Sequence, residues 1–501
     1  MATEANRGSV IQEFYRGTNI FITGGTGFMG KVLTEKLLRS CPNLNSIYVL
    51  IRSKKGKDVE TRFKELLEEP VFDRLRKEQP GFRDKLVAVA GDCAEKDLGL
   101  SPQDRQRLVD TVDVVFNLAA TVRFDEHLRT AVNINVRGTL YLIQLCKECV
   151  HLKVFIHLST AYCHHYRRHI EEVLYDPPMT AKDALKLLEC LNDDTLTNIT
   201  SGLLGQWCNT YTFTKSIAEH AVQNSNLECP VGLFRPSVVI STAQEPVPGW
   251  IDRPFGPIGP LVRIGMGLQR VSMNDGKVII SIVPCDMSIN GVIASAWDVY
   301  QRGKPGSEDI PVYNNVSSCE NPITWSKIIG YFDEDISKCP FDDIMWMPFN
   351  VQCKRPSFYK FFWFFLHTIP ALLMDSLLFC KGQKPTMMKI YDKIDYHNKI
   401  LGKFSTKEWK FENDNMRKLW TNISDEDKKI FHFDIRDVNW REYCCRSVEG
   451  YRQFLLKQDP KNLPKAMKRA KRMERIHKVT TFSIFAFILW LVWFAVSPLF
   501  L

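Results

Sequence analysis

The chain is long enough for two or three domains, and its composition fits a folded globular protein. It has 501 residues, of which 45% are hydrophobic and 25% are charged, and these values exclude the disordered and fibrous classes. The formal net charge is +9. Residues 461–478 hold eight basic residues and one acid, so the rest of the chain carries only about +2. The charge therefore gives no reason to expect a nucleic-acid partner.

The N-terminus and the cysteines favour a reducing compartment. The first residues lack the apolar segment of a signal peptide. The 15 cysteines are scattered, and Cys146 and Cys149 have no second pair that would complete a zinc site. We expect reduced thiols and no bound metal.

Strand and helix signals alternate over residues 18–160. This alternation predicts a Rossmann-like, doubly wound parallel sheet of the α/β class, whose ligands bind beyond the carboxyl ends of the strands. The predicted strands are Thr18–Thr23, Ser46–Ile51, Leu86–Ala90, Val112–Asn117 and Lys153–Leu158, and Val231–Phe234 follows later.

A glycine-rich turn follows the first predicted strand and opens a helix. Its glycines would let backbone N–H groups approach a pyrophosphate, and the helix N-terminus would add partial positive charge. The candidate cofactor-binding residues here are Thr23, Gly24, Gly27, Phe28, Met29 and Gly30.

Basic residues follow the second predicted strand, where an acid would favour NAD. Arg52 is the first candidate to bind a 2′-phosphate and Lys54 the second, which favours NADPH. An ordinary solvated run of charges remains the alternative.

Three later strand ends supply further cofactor candidates. Asp92 is placed to accept a hydrogen bond from the adenine amino group. Asn117 ends the fourth strand and is a cofactor candidate, and the small residues after it, Ala119 and Ala120, would let the cofactor ribose lie close. Pro236, after the strand Val231–Phe234, is the last of these candidates.

Residues 163–206 interrupt the strand–helix order. They contain His164, His165 and His169, but basic neighbours and the scarcity of carboxylates argue against a metal site. A cap on the substrate side or a surface excursion is expected instead.

A tyrosine–lysine pair carries the proposed chemistry. Tyr211 and Lys215 are four residues apart on a predicted helix, so they share one face. The lysine can stabilise a phenolate and bind the nicotinamide ribose. A hydroxyl after the fifth strand should hold the substrate carbonyl, with Thr160 favoured and Ser159 as the alternative.

Two apolar segments indicate contact with a membrane. Residues 479–501 carry no charge and follow the basic run 461–478, as expected for a C-terminal anchor with a cytosolic body. A buried core helix is the alternative. Residues 358–380 are also apolar, and they are interpreted as either a second span or a membrane-associating or buried helical pair.

The motifs TGGTGFMG, NLAA, LSTAY and YTFTK together resemble the extended short-chain dehydrogenase/reductase superfamily. The further segments RPSVV, VPCDMSIN, HTIPALLMD and FENDN are similar to alcohol-forming fatty acyl-CoA reductases of the animal type. The resemblance covers about residues 15–480. It implies that Tyr211 and Lys215 are the catalytic pair and that the glycines form the cofactor turn.

The resemblance also implies a domain order. A reductase domain would occupy 15–300 with the insertion 163–206, and 301–355 would complete it. A helical domain would cover 356–460, followed by the basic segment 461–478 and the anchor 479–501.

The implied activity is NADPH-dependent reduction of long-chain fatty acyl-CoA to fatty alcohol in two hydride steps, at a peroxisomal or endoplasmic reticulum membrane. A homodimer is possible. Arg253, Arg263 and Arg270 are candidates to meet the CoA phosphates. The alternatives are reduction that stops at the aldehyde, a membrane-bound sterol or sugar-nucleotide dehydrogenase, and a non-catalytic membrane scaffold.

Overall fold

The computed structural model describes residues 8–54, 56–303 and 310–497. The last four residues of the expected anchor, 498–501, lie outside the described part. The chain forms two compact units that interleave along the sequence. The first unit comprises Met1–Pro248, Ile280–Pro322 and Glu408–Val438, and the second comprises Gly249–Ile279, Ile323–Lys407 and Asn439–Leu501.

The first unit is built on a seven-stranded parallel sheet, which confirms the predicted fold class. Its strand order is β7-β6-β5-β4-β1-β2-β3. The strands are β1 Asn19–Thr23, β2 Ser46–Ile51, β3 Leu86–Ala90, β4 Val114–Asn117, β5 Val154–Leu158, β6 Val231–Pro236 and β7 Val312–Asn315. Outside this sheet, shorter strands form two-stranded sheets. They are His169–Ile170, Val238–Ile240, Val271–Ser272, Ile279–Ile280, Ile282–Pro284, Ile323–Thr324, Val351–Gln352 and Lys410–Phe411.

Helices account for most of the remaining described structure. The α-helices are α1 Val10–Tyr15, α2 Phe28–Ser40, α3 Val59–Leu67, α4 Asp73–Glu78, α5 Pro102–Thr111, α6 Leu128–Val132, α7 Gly138–Glu148, α8 Ala181–Cys190, α9 Asp193–Leu204, α10 Thr210–Gln223, α11 Ile258–Gly265, α12 Cys285–Arg302, α13 Trp325–Lys338, α14 Pro356–Trp363, α15 Ile369–Cys380, α16 Met387–Ser405, α17 Asp414–Asn422, α18 Asp425–Ile430, α19 Trp440–Gly450 and α20 Leu463–Val496. None of the 15 cysteines forms a disulfide within the described residues.

Apolar strands buried on both faces hold the sheet between helices. On one face α2 and α12 pack against each other, and α12 also packs on β5 and β6. Gly232 permits this approach, because a Cβ there would lie 2.6 Å from a methyl group of Val299. On the other face Phe21 and Phe155 join Leu142 of α7 in one buried cluster. This layering is the expected solution for a parallel sheet.

The insertion 163–206 is a helical excursion within the first unit. Its helices α8 and α9 contact α10 and α6, respectively. Ala184, Leu188 and Leu196 share a buried cluster with Trp207 and Phe213. The excursion therefore has a core of its own against the helix that carries the predicted tyrosine–lysine pair.

Residues 408–438, which the sequence analysis places in the helical domain, pack within the first unit. Glu172 accepts from the backbone N–H groups of Asn314, at 2.9 Å, and Asn415, at 2.6 Å. The side chain of Asn314 donates to the Glu412 carbonyl at 2.9 Å. Burial raises the pKa of Glu172 to about 7, although these two backbone donors oppose the shift. One partly buried carboxyl group therefore joins the excursion, β7 and the FENDN segment.

Among the described residues, two helical segments are long and apolar enough to cross a membrane, and both belong to the second unit. They are Pro356–Cys380, with 11% of its apolar window buried, and Pro460–Phe494, with none buried. The first segment comprises α14, a π-helical turn at Phe364–Thr368 and α15. By length and composition, these helical segments match the two apolar segments predicted from the sequence, 358–380 and 479–501.

We expect Asp286→Ala to destabilise the first unit. The Asp286 carboxylate accepts from the backbone N–H groups of Ala243 and Gln244 at 2.8 Å and of Glu245 at 2.9 Å. Alanine leaves these donors unsatisfied, at a cost of roughly 2–4 kcal/mol. Thermal unfolding of the solubilised chain should show a midpoint lower by roughly 3–6 °C.

Asp110→Ala is the matched control for this prediction. Asp110 is exposed and accepts only from the Gln106 side chain at 2.8 Å. Its midpoint should stay within about 1 °C of the parent chain. Equal effects of the two substitutions would show that the Asp286 carboxylate does not anchor the 243–245 loop.

Candidate active site

The glycine turn after β1 is shaped by close backbone approaches. Gly24 has φ +75°, and a Cβ there would lie 2.7 Å from the backbone nitrogen of Ala119. A Cβ on Gly30 would lie 2.3 Å from the Gly24 carbonyl oxygen. Gly27 immediately precedes α2 and donates to the Gly24 carbonyl at 2.9 Å. The turn thus presents open backbone at the N-terminus of α2, where a pyrophosphate would be favoured.

Two of the predicted cofactor residues bind each other. The Thr23 hydroxyl donates to the Asn117 side-chain oxygen at 2.8 Å, and both residues are buried. The Ala119 backbone N–H donates to the Thr23 hydroxyl at 3.3 Å, and the side-chain amide of Asn117 lies 2.9 Å from His157 Nδ1. Thr23 and Asn117 therefore fix the loops after β1 and β4, and they would act on a cofactor through those loops.

Arg52 and Asp92 meet at the carboxyl ends of β2 and β3, as strand ends in a parallel sheet predict. A guanidinium nitrogen of Arg52 lies 3.4 Å from an Asp92 carboxylate oxygen, and the Arg52 side chain is 43% exposed. The other Asp92 oxygen accepts from the Ala94 backbone N–H at 3.0 Å. Lys54 is also exposed and forms a backbone bridge with Lys57. Both basic residues are therefore accessible to a ligand.

The remaining cofactor candidates lie around the same edge of the sheet. Phe28 and Met29 begin α2, and Ala120 follows Ala119 in the partly buried loop after β4. Pro236 ends β6, and its carbonyl accepts from the Ala161 backbone N–H at 2.9 Å. Pro236 thereby holds the loop that contains the candidate hydroxyl groups.

Tyr211 stands at the start of α10, and its hydroxyl lies near enough to Thr160 for that side chain to influence its pKa. The Asn209 side chain caps this helix by accepting from the Thr212 backbone N–H at 2.8 Å. Burial raises the pKa of the Tyr211 hydroxyl, and the polar side chain of Thr160 opposes that shift. The hydroxyl is therefore protonated at neutral pH, as a proton donor must be. Ser159 Oγ is buried beside the Cys163 thiol instead.

Lys215 is buried one turn further along α10. Its ammonium donates to the Leu158 carbonyl at the end of β5 at 2.6 Å. Burial lowers the pKa of Lys215 to about 8, and the negative charge of Glu219 opposes that shift. Lys215 is thus a cation whose charge depends on a neighbouring carboxylate.

Glu219 and Arg235 form a buried ion pair that the sequence analysis did not identify. Arg235 of β6 donates through Nε at 2.8 Å and through Nη2 at 2.7 Å to the two Glu219 oxygens. Both side chains are at most 1% exposed. Burial opposes ionisation of Glu219, but Arg235 and His164 hold its pKa well below the usual range. The four-residue spacing from Lys215 was the available signal in the sequence.

Cys163, His164 and Glu219 place three potential metal ligands within reach of one another. Arg235 already engages both oxygens of Glu219, and its positive charge disfavours a cation there. The Cys163 thiol donates to a Glu219 oxygen at 3.2 Å. His169 lies elsewhere, with its ring 3.1 Å from Glu412. The donor set therefore fits the ion pair better than a metal ion.

Asn135 is a second buried residue that the sequence analysis missed. It lies in a π-helical turn between α6 and α7. Its side-chain oxygen accepts from the Thr121 backbone N–H at 2.9 Å, and its amide donates to the Thr214 hydroxyl at 2.9 Å. Asn135 thereby ties the loop after β4 to α10. The signal was a polar residue inside an apolar helical pattern.

The arginines considered for CoA phosphates belong to the second unit, and two of them are already engaged. Arg263 Nε donates to Gln269 at 3.0 Å, and burial lowers its pKa to about 10. Arg270 donates to the Leu366 carbonyl at 2.8 Å. Only Arg253 of the three is exposed, so this group is a weaker candidate than the sequence suggests.

A cavity of about 430 Å³ lies beside β7 in the first unit. Asn314, Glu320, Arg417 and Trp420 are among its lining residues. Neither Tyr211 nor Lys215 lines it, so this cavity does not coincide with the candidate active site.

Two solved structures share the fold of this chain. The reductase domain of a nonribosomal peptide synthetase from Mycobacterium tuberculosis gives a TM-score of 0.58 at 18% identity, covering 90% of this chain and 93% of that one. UDP-glucuronic acid 4-epimerase from Bacillus cereus, solved with NAD, gives 0.51 at 14% identity, with 88% and 99% covered. At such low identity these similarities establish the fold alone.

Sequence relatives identify the family. Models of the male sterility protein match residues 22–292 and 366–458. "Fatty acyl-CoA reductase wat" of Drosophila melanogaster is 43% identical over 461 residues, which cover 92% of this chain and 88% of that protein. "Fatty acyl-CoA reductase 1" of Rattus norvegicus is 39% identical, with 91% and 88% covered. The chain belongs to the fatty acyl-CoA reductase family, and it is an enzyme with a nicotinamide-cofactor domain.

We expect Glu219→Gln to move the alkaline limb of the pH profile of kcat/KM toward lower pH. Glu219 opposes the loss of the Lys215 proton, so its removal takes the pKa of Lys215 below about 8. Above that pKa the ammonium is neutral and the enzyme should lose activity. The limb should shift by roughly one pH unit.

Glu219→Gln also leaves Arg235 buried without its counter-ion, which destabilises the fold. The double variant Glu219→Gln/Arg235→Met removes both charges and should recover stability. It should retain the same pH shift, because the shift follows the missing carboxylate. An unchanged alkaline limb in both variants would show that Glu219 does not set the charge of Lys215.

Proposed function

We propose that this enzyme reduces long-chain fatty acyl-CoA to the fatty alcohol, with NADPH as the cofactor, in two hydride transfers with release of CoA. The observation that supports this most is that Tyr211 and the buried Lys215 lie one turn apart on α10, with the Thr160 side chain near the Tyr211 hydroxyl. The names of the curated relatives specify reduction of fatty acyl-CoA. The chain covers most of each relative, so the whole activity can be considered.

The two hydroxyl groups have distinct tasks in this proposal. Thr160 and Tyr211 hold the substrate carbonyl oxygen and stabilise the negative charge that develops on it. Tyr211, which is protonated at neutral pH because burial raises its pKa, then gives its proton to that oxygen. Lys215 provides positive charge along the same face of α10, and it can replace the lost proton and bind the ribose.

The glycine turn fits a dinucleotide, because side chains at Gly24 and Gly30 would fill the close approaches that shape it. The turn and the N-terminus of α2 would hold the pyrophosphate, and Arg52 would bind the 2′-phosphate. When bound, the nicotinamide supplies hydride to the carbonyl carbon. The first reduction releases CoA thiol and the second yields the alcohol, with Tyr211 as the proton donor.

The C-terminal helix α20 anchors the enzyme in this proposal. Its exposed apolar part follows the basic segment 461–478, which favours a cytosolic catalytic body. A fatty substrate and its alcohol product both partition into lipid, so an anchored enzyme meets them where they accumulate. The family resemblance points to a peroxisomal or endoplasmic reticulum membrane.

We expect Tyr211→Phe to abolish product formation while NADPH binding is retained. Phenylalanine keeps the ring against Phe124, whose centroid lies 6.0 Å away, but removes the proton donor. The loss in kcat should be about 10²–10⁴-fold. NADPH oxidation and lipid products should be measured with acyl-CoAs of increasing length, using detergent-solubilised enzyme.

The stoichiometry of the parent enzyme tests the rest of the reaction. Fatty alcohol at two NADPH per CoA released is expected. Aldehyde at one NADPH would contradict the second reduction. No turnover with any acyl-CoA despite NADPH binding would favour the sterol alternative, and the lack of NADPH binding would favour the scaffold.

We expect Arg52→Gln to weaken binding of NADPH selectively. Loss of a charge-assisted contact to the 2′-phosphate costs about 1.5–3 kcal/mol, which corresponds to a 10–100-fold rise in KM for NADPH. The KM for NADH should change little, because NADH lacks that phosphate. Lys54→Gln is the comparison at the second candidate and should have the smaller effect; equal rises for both cofactors would contradict the role of Arg52.

A further inference from the structure

The outward side of the segment Pro356–Cys380 is a continuous apolar surface. Large side chains along its length are exposed, including Phe361 at 56% and Leu377 at 57%. We call this surface the apolar face and define it by Phe361, Phe364, Phe365, Leu373, Leu377 and Phe379. An exposed patch of this kind marks a contact with a protein or a membrane.

The inward side of the same segment carries polar side chains whose hydrogen bonds fix it to the rest of the second unit. The Tyr359 hydroxyl donates to Asp395 at 2.8 Å, and His367 Nε2 accepts from the Arg270 backbone N–H at 3.2 Å. The Asp375 carboxylate accepts from the backbone N–H of Met387 at 2.8 Å. These contacts extend over residues 359–375, roughly 24 Å of helix at 1.5 Å per residue.

Those contacts exclude an orientation across the bilayer. A spanning helix would carry α16, with Asp395 and its ion-pair partner Lys399, into the hydrocarbon, where charges are costly. A helix lying in the membrane interface can instead bury one side in lipid and keep the other on the protein.

The start of the apolar part of α20 is connected to the segment Pro356–Cys380 through two side chains of the second unit. The indole N–H of Trp346 donates to His477 Nδ1 at 2.9 Å, just before the apolar residues begin. The guanidinium of Arg270 stacks over the same indole at 5.5 Å and donates to the Leu366 carbonyl at 2.8 Å. One tryptophan and one arginine therefore connect the membrane entry of α20 to the middle of the segment.

Exposed basic residues flank the apolar face at both ends. Arg355 and Lys360 lie at its start, and Lys381 and Lys384 lie just beyond its end. Positive charge beside an apolar surface suits anionic lipid head groups better than it suits an apolar protein surface. The geometry points to the apolar face as an in-plane lipid-binding surface, seated on the same bilayer that α20 enters. This inference rests on the proposed membrane anchor.

Photocrosslinking of the full chain in lipid nanodiscs tests the surface. Phosphatidylcholine and phosphatidylserine at about 4:1 supply the anionic head groups. Benzoylphenylalanine replaces Phe361, Phe365 or Leu377 in turn, with Phe485 of α20 as the reference and the exposed Val150 of the first unit as the control. Lipid adducts at the three positions should exceed the Val150 yield by about tenfold.

Each other result has a defined meaning. Yields equal to that at Val150, or crosslinks to a second copy of the chain, would overturn the lipid-binding surface. Adducts on the apolar face without adducts at Phe485 would support the surface and contradict the anchor. The readout does not depend on activity, so the failure of the proposed reaction would leave it unaffected.

A protease site inserted between Gly382 and Gln383 distinguishes the in-plane orientation from a span. This loop connects α15 to α16. In sealed vesicles with the catalytic body outside, added protease should cut the site, since the whole segment stays on that side. Protection of the site, with cleavage restored by detergent, would overturn the in-plane orientation.

Discussion

The buried ion pair of Glu219 and Arg235 is the constraint on which the candidate site depends. Burying two charges is costly, and the cost is offset only when geometry and hydrogen bonding are good. Here two N–H groups meet two carboxylate oxygens, and Cys163 adds a third contact. The pair joins α10 to β6. Because Tyr211 and Lys215 lie on α10, their position relative to the sheet follows from it.

The sheet and the glycine turn could be predicted because their signals are local. Apolar strands such as Ser46–Ile51 alternate with helices, and the turn from Gly24 to Gly30 needs backbone that side chains would block. The rule that ligands bind beyond the ends of parallel strands also placed Arg52 and Asp92 at one edge of the sheet, where they form an ion pair. That rule gives a residue's location but not the direction of its side chain. Thr23 and Asn117 are at the predicted edge, yet they bind each other.

The parts that could not be predicted depend on contacts between distant segments. Glu219 follows Lys215 by four residues, but its partner comes from β6, and no local pattern selects that partner. Residues 408–438 read as helical sequence, whereas their packing on the first unit depends on Glu172 and Asn314. In both cases a buried polar group must find a partner, and packing decides which one.

In the second unit, the need of buried polar groups for partners also decides which side of a helix is exposed. Hydropathy reports the composition of Pro356–Cys380 and does not report which side faces the protein. His367 and Asp375 need polar partners, and Arg270 and the start of α16 provide them. Turning those two side chains inward directs Phe361 and Leu377 outward. A helix whose polar groups are satisfied by its own protein therefore leaves its apolar groups to the surroundings, and lipid is the surrounding that favours them.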